Sequence, residues 1–201
     1  MTIGNDPANI VETYLQSSAE TTRQTAQSCG ADILRAAAMI RDCFKAGGKL
    51  MLCGNGGSAA DCQHMATEFV SRLSKDIQRP GLPALALTTD TSFLTAFAND
   101  FDYEGIFARQ VQALGKPDDV LLGISTSGRS ANVIKAVAAA KQLNISVIAL
   151  TGNEGTLAAM GDVAISVPSG DTQHIQEAHL AIEHVLCQLV ESDLYSAGRT
   201  K

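Results

Sequence analysis

The apolar positions change their period along the chain. From about Asp6 to Lys45 they recur three and four apart: Ile10, Val11, Tyr14 and Leu15 form one stripe, and Ile33, Leu34, Ala37, Ile40 and Phe44 form another. That spacing puts each set on one face of a helix. Between the stripes lies ETTRQTAQSCG, polar and weakly patterned. It reads either as an exposed helix end with a loop around Gly30, or as a helical arm that packs on another subunit.

After KAGG the texture shifts to short apolar runs bounded by turn residues. KLMLC, PALALTT, DVLLGIST, ISVIALTG and DVAISVPS each fit a buried strand, and helical stretches such as SANVIKAVAAAKQLN separate most of them. Strands alternating with helices predict a parallel sheet covered on both faces. A last helix is predicted over about Thr172 to Tyr195, with Ile175, His179, Ile182, Leu186 and Leu189 on its apolar stripe. No repeat, low-complexity segment or linker divides the 201 residues, so a single domain is expected. In such a sheet, ligands collect beyond the C-terminal strand ends. That rule singles out two loops, Gly54 to Ser58 and Ser125 to Ser130.

Composition narrows the function classes. A content of 45% hydrophobic and 18% charged residues can fill a core and argues against disorder. The net charge of -6 argues against a nucleic-acid surface, so no nucleic-acid partner is expected. It also leaves a phosphorylated ligand to be held by local features. The five cysteines (Cys29, Cys43, Cys53, Cys62 and Cys187) are dispersed, without a CxxC pair, and read as reduced thiols of a cytoplasmic protein. The chain start lacks a basic segment followed by an apolar run, and no apolar stretch is long enough to span a bilayer. A cytoplasmic protein without a membrane partner is the expectation.

STSGRSAN, from Ser125 to Asn132, follows a predicted strand and precedes a predicted helix. Its four hydroxyls can donate to phosphate oxygens, its glycine lets backbone N–H groups approach, and the helix N-terminus adds positive potential. The alternative is plain helix capping, which also favours Ser and Thr. GNGGSA, from Gly54, is weaker alone: it matches neither GxGxxG nor a P-loop, so it does not argue for a nucleotide. Asn55 in that turn could bond sugar hydroxyls.

His64 and Glu68 stand four apart and share a helix face, a spacing that suits two metal ligands. Asp61 could orient the His64 ring as an outer partner. A surface hydrogen bond, or a Glu68–Arg72 ion pair, is the alternative. On the last helix, His179 falls on the apolar stripe and reads as a packed core residue, while His174 near the helix start reads as solvated. His184 follows Gln176 by eight residues, about 12 Å along a helix axis. The two cannot chelate one ion closely from a regular helix unless both reach inward or come from different subunits.

Four stretches in order, CGNGGSAADCQHMATEF, FANDFDYEGIFARQ, GISTSGRSANVIKA and HIQEAHLAIEHVL, closely resemble bacterial phosphoheptose isomerases, members of the sugar-isomerase (SIS) domain group. The resemblance covers nearly the whole chain. It implies a three-layer α/β/α sandwich with a five-stranded parallel sheet, a single SIS domain over residues 1–201, and residues 1–46 as an N-terminal helical arm. It implies a homotetramer with active sites between subunits. The implied reaction converts sedoheptulose 7-phosphate to a glycero-manno-heptose 7-phosphate, the first step of bacterial heptose synthesis. Carried over, Ser125, Thr126, Ser127 and Ser130 bind phosphate, and Asn55, Gly56, Gly57, Ser58, Asn99 and Asp100 line the sugar site with Glu68 and Gln176. His64, Glu68, Gln176 and His184 match the zinc positions, and Glu68 and His184 the proton-transfer pair. Members often carry Arg where this chain has His174, which removes a planar donor at that corner. Two rival readings of the same resemblance are a non-catalytic tetramer that binds the replication initiator protein and a phosphosugar-sensing regulator.

Overall fold

The computed structural model describes residues 6–195. Two helices, α1 (Pro7–Ser28) and α2 (Gly30–Lys45), precede β1 (Leu50–Cys53), α3 (Gly57–Val70), β2 (Ala84–Ala86), α4 (Thr91–Asp100) and α5 (Ile106–Leu114). Then come β3 (Val120–Ser125), α6 (Ala131–Gln142), β4 (Ser146–Gly152), α7 (Leu157–Met160), β5 (Val163–Val167) and α8 (Thr172–Tyr195). All five predicted strands are present.

The strands pair in parallel in the order β2-β1-β3-β4-β5. Successive side chains alternate between two cores. Leu50, Leu52, Leu122, Ile124, Ile148 and Leu150 join one core, which α2, α3 and α8 cover. Met51, Cys53, Leu121, Val147 and Ala149 join the other, beneath α5, α6 and α7. Burial on both faces explains why the strands read as continuous apolar runs rather than alternating ones. The three-layer α/β/α sandwich expected from the resemblance is therefore the observed fold.

The helical arm is also present, with one difference. Asp6 caps α1 by accepting from Ala8 N at 3.2 Å, and Pro7 starts the first turn. The helix then runs straight through the polar stretch that could have ended in a loop, and the break before α2 is the single residue Cys29 (φ -104, ψ -3). Within that polar stretch Thr25 Oγ1 donates to the Thr21 carbonyl at 2.8 Å, which satisfies a buried hydroxyl inside the helix, and both threonines are buried. Ile10, Val11 and Leu15 remain exposed on α1.

Tyr14 docks α1 onto the start of α8. Its hydroxyl donates to Glu177 Oε1 at 2.6 Å, and its ring centroid lies 4.7 Å from that of His174. His174 is consequently buried, not solvated as expected, with Nδ1 3.2 Å from Glu177 Oε2. Sequence pattern places a residue on its own helix but says nothing of a second helix arriving over it. His179 is fully buried, as expected. All five cysteines are free and buried, and burial pushes the Cys53 thiol up to about 12. Among the described residues no helix is long and apolar enough to cross a membrane.

Candidate active site

The strand order fixes where a ligand can sit. From β1 the chain passes to β2 on one side, then returns to β3 on the other. The C-terminal ends of β1 and β3 therefore border a crevice where the winding reverses, the usual ligand position in such sheets. Both loops singled out from the sequence open there, one into α3 and the other into α6.

The β3 loop does not cap α6 through the side chain at its N-cap. Ser130 stands at the N-cap of α6 but its side chain makes no capping bond; its Oγ lies 2.9 Å from Ser125 Oγ instead. Ser130 thus leaves the first turn of α6 without an N-cap side chain, although Val133 N donates to Asn132 Oδ1 at 2.9 Å, and the positive end of the helix faces the loop. Ser127 Oγ accepts from Arg129 N at 3.3 Å, and the Thr126 carbonyl accepts from Gly152 N at 3.1 Å. Gly128 turns the loop at φ +62, a conformation that L side chains rarely adopt, and a Cβ there would meet the Glu154 carbonyl oxygen at 2.2 Å.

The β1 loop leads into a second helix start without a capping side chain. Gly56 occupies the N-cap of α3 and offers no side chain. Beside it, a Cβ on Gly57 would lie 1.5 Å from Gln176 Nε2, so the glycine makes room for the Gln176 amide. Asn55 joins the two loops. Its amide and that of Asn132 exchange reciprocal hydrogen bonds, each 2.8 Å, and Tyr103 donates its hydroxyl to Asn55 Oδ1 at 3.0 Å. Ser58 is buried, while Asn99 and Asp100 are exposed at the end of α4, with Asn99 Nδ2 donating to Asp100 Oδ1 at 2.9 Å.

Along α3 and α8 lies a second constellation. His64 Nε2 is 2.8 Å from His184 Nε2 and 3.8 Å from Glu68 Oε1. Ligand-type atoms of His64, Glu68 and His184 all lie within 4.8 Å of one another. Two imidazole nitrogens and a carboxylate oxygen in that space form a donor set suited to zinc. Glu68 faces His64, not Arg72, so the ion-pair alternative is not realised. Gln176 lies eight residues before His184 on α8. It packs against Gly57 and hydrogen-bonds Asp61. The expected Asp61 contact is therefore chiefly with Gln176. Burial raises the Asp61 pKa, with the Gln176 bond and the His64 charge opposing.

Comparison with known proteins bears directly on this arrangement. The SIS-domain family model matches residues 13–152. A phosphoheptose isomerase of Roseiflexus sp. (strain RS-1) is 50% identical over 182 residues, covering 90% of this chain and 91% of the relative. The chain belongs to the phosphoheptose isomerases of the SIS-domain family. Among solved structures, phosphoheptose isomerase GmhA from Neisseria gonorrhoeae superposes with a TM-score of 0.87 at 42% identity, covering 92% of this chain and 98% of that one. A phosphoheptose isomerase from Francisella tularensis gives 0.88 at 39% identity, with the same 92% and 98% coverage.

In this phosphoheptose isomerase fold, three polar residues had no assigned role in the sequence reading. Asn132 sits in the quoted STSGRSAN stretch, yet only the pairing of β1 with β3 brings it to Asn55. Tyr103, in FANDFDYEGIFARQ, reaches the same amide from the loop after α4. Glu183 is fully buried beside Asp61, its carboxyl oxygens without a hydrogen-bond partner among the described residues. Burial, and Asp61 to a lesser degree, push its pKa up to about 9. Its place between Ile182 and His184 in the helical pattern carried no signal of that.

Proposed function

We propose that the protein interconverts sedoheptulose 7-phosphate and glycero-manno-heptose 7-phosphate, moving a proton between neighbouring carbons through an enediol. The observation that carries this reading is the His64–Glu68–His184 cluster, held on a fold whose neighbouring crevice presents two helix N-termini without capping side chains. A protein that only bound another protein would have no use for that cluster.

Ser125, Thr126, Ser127 and Ser130 hold the phosphate, with the α6 amides. Asn55, Gly56, Gly57, Ser58, Asn99, Asp100 and Gln176 line the sugar. The Glu68 carboxylate takes the proton from C1 of the ketose and returns it to C2. His184 gives a proton to the carbonyl oxygen at C2 and accepts one from the hydroxyl at C1, so protons balance and nothing is oxidised overall. His64, Glu68, Gln176 and His184 would hold zinc. When bound, zinc supplies positive charge against the negative charge that develops on the enediolate.

The apolar side chains left exposed on α1 support a homotetramer with sites between subunits. We take residues 1–201 as one SIS domain, with 1–46 as its arm, acting in the cytoplasm at the first step of heptose synthesis for the bacterial envelope lipopolysaccharide. Incubation with sedoheptulose 7-phosphate, followed by NMR, tests the reaction: the aldose should accumulate to equilibrium. Its absence with correctly folded, zinc-loaded protein would sink the reading.

A further inference from the structure

The segment between α3 and β2 supplies Arg79 to a buried ion pair with Glu191 of α8, which the site has not yet used. Arg79 Nε donates to Glu191 Oε1 at 2.7 Å, and the two side chains are only 1% and 2% exposed. The rest of the guanidinium closes the end of α3. Nη2 donates to the Glu68 carbonyl at 2.8 Å, and Nη1 donates to the Phe69 carbonyl at 2.7 Å. These are carbonyls that a helix end leaves without internal partners, and a cation there also meets the negative end of the dipole. Glu191 in turn accepts from Leu73 N at 3.4 Å and Ser74 N at 3.2 Å.

This pair is the last of three polar contacts that follow one another along α8, each made with α3 or the segment just beyond it. Gln176 meets Gly57 and Asp61, His184 meets His64, and Glu191 meets Arg79 and the residues just beyond α3. Residue numbers rise together on both sides, so α3 and α8 run side by side in one direction. The middle contact brings together groups of the proton-transfer centre from two different helices. Its geometry therefore depends on the register between them. Met65 and Phe69 of α3 share one buried core with Ile182, Leu186 and Val190 of α8, while a pocket of about 330 Å³ on the polar side borders both His184 and Glu191 and is walled by Leu73 and Ile77.

We propose that Arg79 and Glu191 are positioning residues that lock the register of α3 against α8 and so hold Glu68 and His184 at working distance. Arg79 is suited to this because it grips the backbone of Glu68 itself. Its planar fork reaches two carbonyls and a carboxylate at once, which a lysine cannot do. The proposal rests on the reading of Glu68 and His184 as the proton-transfer pair.

The test compares Arg79→Lys, Arg79→Ala, Glu191→Gln and Glu68→Gln in the full chain. Each is measured by circular dichroism, steady-state kinetics, solvent deuterium exchange into sedoheptulose 7-phosphate, and zinc affinity by chelator competition. Folded Arg79→Lys should lose about tenfold or more in kcat and about tenfold in zinc affinity, the scale seen when outer partners of a metal site are removed. KM should stay near the wild-type value, since the phosphate cradle is untouched. Added guanidinium should restore part of the turnover of Arg79→Ala. Should neither Arg79 variant fold, Glu191→Gln carries the same expectation. A folded variant of either residue with wild-type kcat and zinc affinity overturns the proposal, as does a kcat loss that only follows the unfolded fraction. Glu68→Gln separates the two ideas: if it still exchanges deuterium at the wild-type rate, the reading of the centre fails. If it does not, while folded Arg79→Lys behaves as wild type, the positioning role alone fails.

Discussion

The Nε2 atoms of His64 and His184 stand 2.8 Å apart, although 120 residues separate them in the chain. At that distance only one of the two nitrogens can carry a proton, which it donates to the lone pair of the other. A second proton would set two N–H groups head to head. The two imidazole nitrogens and the Glu68 carboxylate, with donor atoms within 4.8 Å of one another, would supply three of the four ligands of a tetrahedral site. Elemental analysis after mild purification should therefore find about one zinc per site. Chelation should remove the activity and zinc should restore it, whereas full turnover by metal-free protein would rule out the role of the ion.

Phosphate holding and proton transfer should separate in kinetics. The Ser125 and Ser130 hydroxyls, 2.9 Å apart, and that of Ser127 would contact the phosphate equally before and during the reaction. Removing one hydroxyl should cost about 0.5–3 kcal/mol and appear mainly in KM. Glu68→Gln keeps the shape but removes the base, so kcat should fall by orders of magnitude while substrate still binds. Deuterium exchange into the substrate should survive Ser127→Ala at saturation and vanish in Glu68→Gln. The reverse pattern would exchange the two roles.

Much of this arrangement was legible in the sequence because it depends on local pattern. Each strand showed itself as an apolar run, and each crevice loop as small or hydroxyl residues at a strand end. What needed the fold were meetings across elements. Asn55 and Asn132 meet because β1 pairs with β3, a strand order that hydrophobic period does not encode. The chain pattern could place Gln176 and His184 eight residues apart, but not show that α3 runs beside both. His174 looked solvated because its cover, Tyr14, comes from a helix 160 residues earlier in the chain.

Assembly offers a third expectation. Ile10, Val11 and Leu15 are 53%, 60% and 62% exposed on one stretch of α1, an apolar cost that burial in a partner would relieve. Light scattering should give a tetramer, and Val11→Glu with Leu15→Glu should break it. If the sites lie between subunits, turnover should fall with the assembly. A dissociated variant with normal turnover would show that each chain carries a complete site.

Stability should depend on pH through two buried groups of α8. Glu183 is raised from its ordinary 4.5 to about 9, so the folded chain holds a proton there that the unfolded chain loses between those values. Its contribution is fully present below about 4.5 and declines as pH rises toward 9. His179 is lowered from 6.5 to about 4, chiefly by burial, so the unfolded chain takes up the extra proton. Its contribution is full above 6.5 and declines as pH falls toward 4. Each group changes stability by about 1.4 kcal/mol per pH unit within its own window. The two slopes oppose each other between about 4.5 and 6.5, leaving a plateau, and only the Glu183 slope continues from there toward 9. Glu183→Gln keeps the volume and removes the ionisation. It should abolish the alkaline decline and stabilise the protein by a few kcal/mol, roughly, at pH 8, with little gain at pH 4.5. Urea denaturation across this range reads both limbs. An alkaline decline that persists unchanged in Glu183→Gln would mean that another group releases the proton.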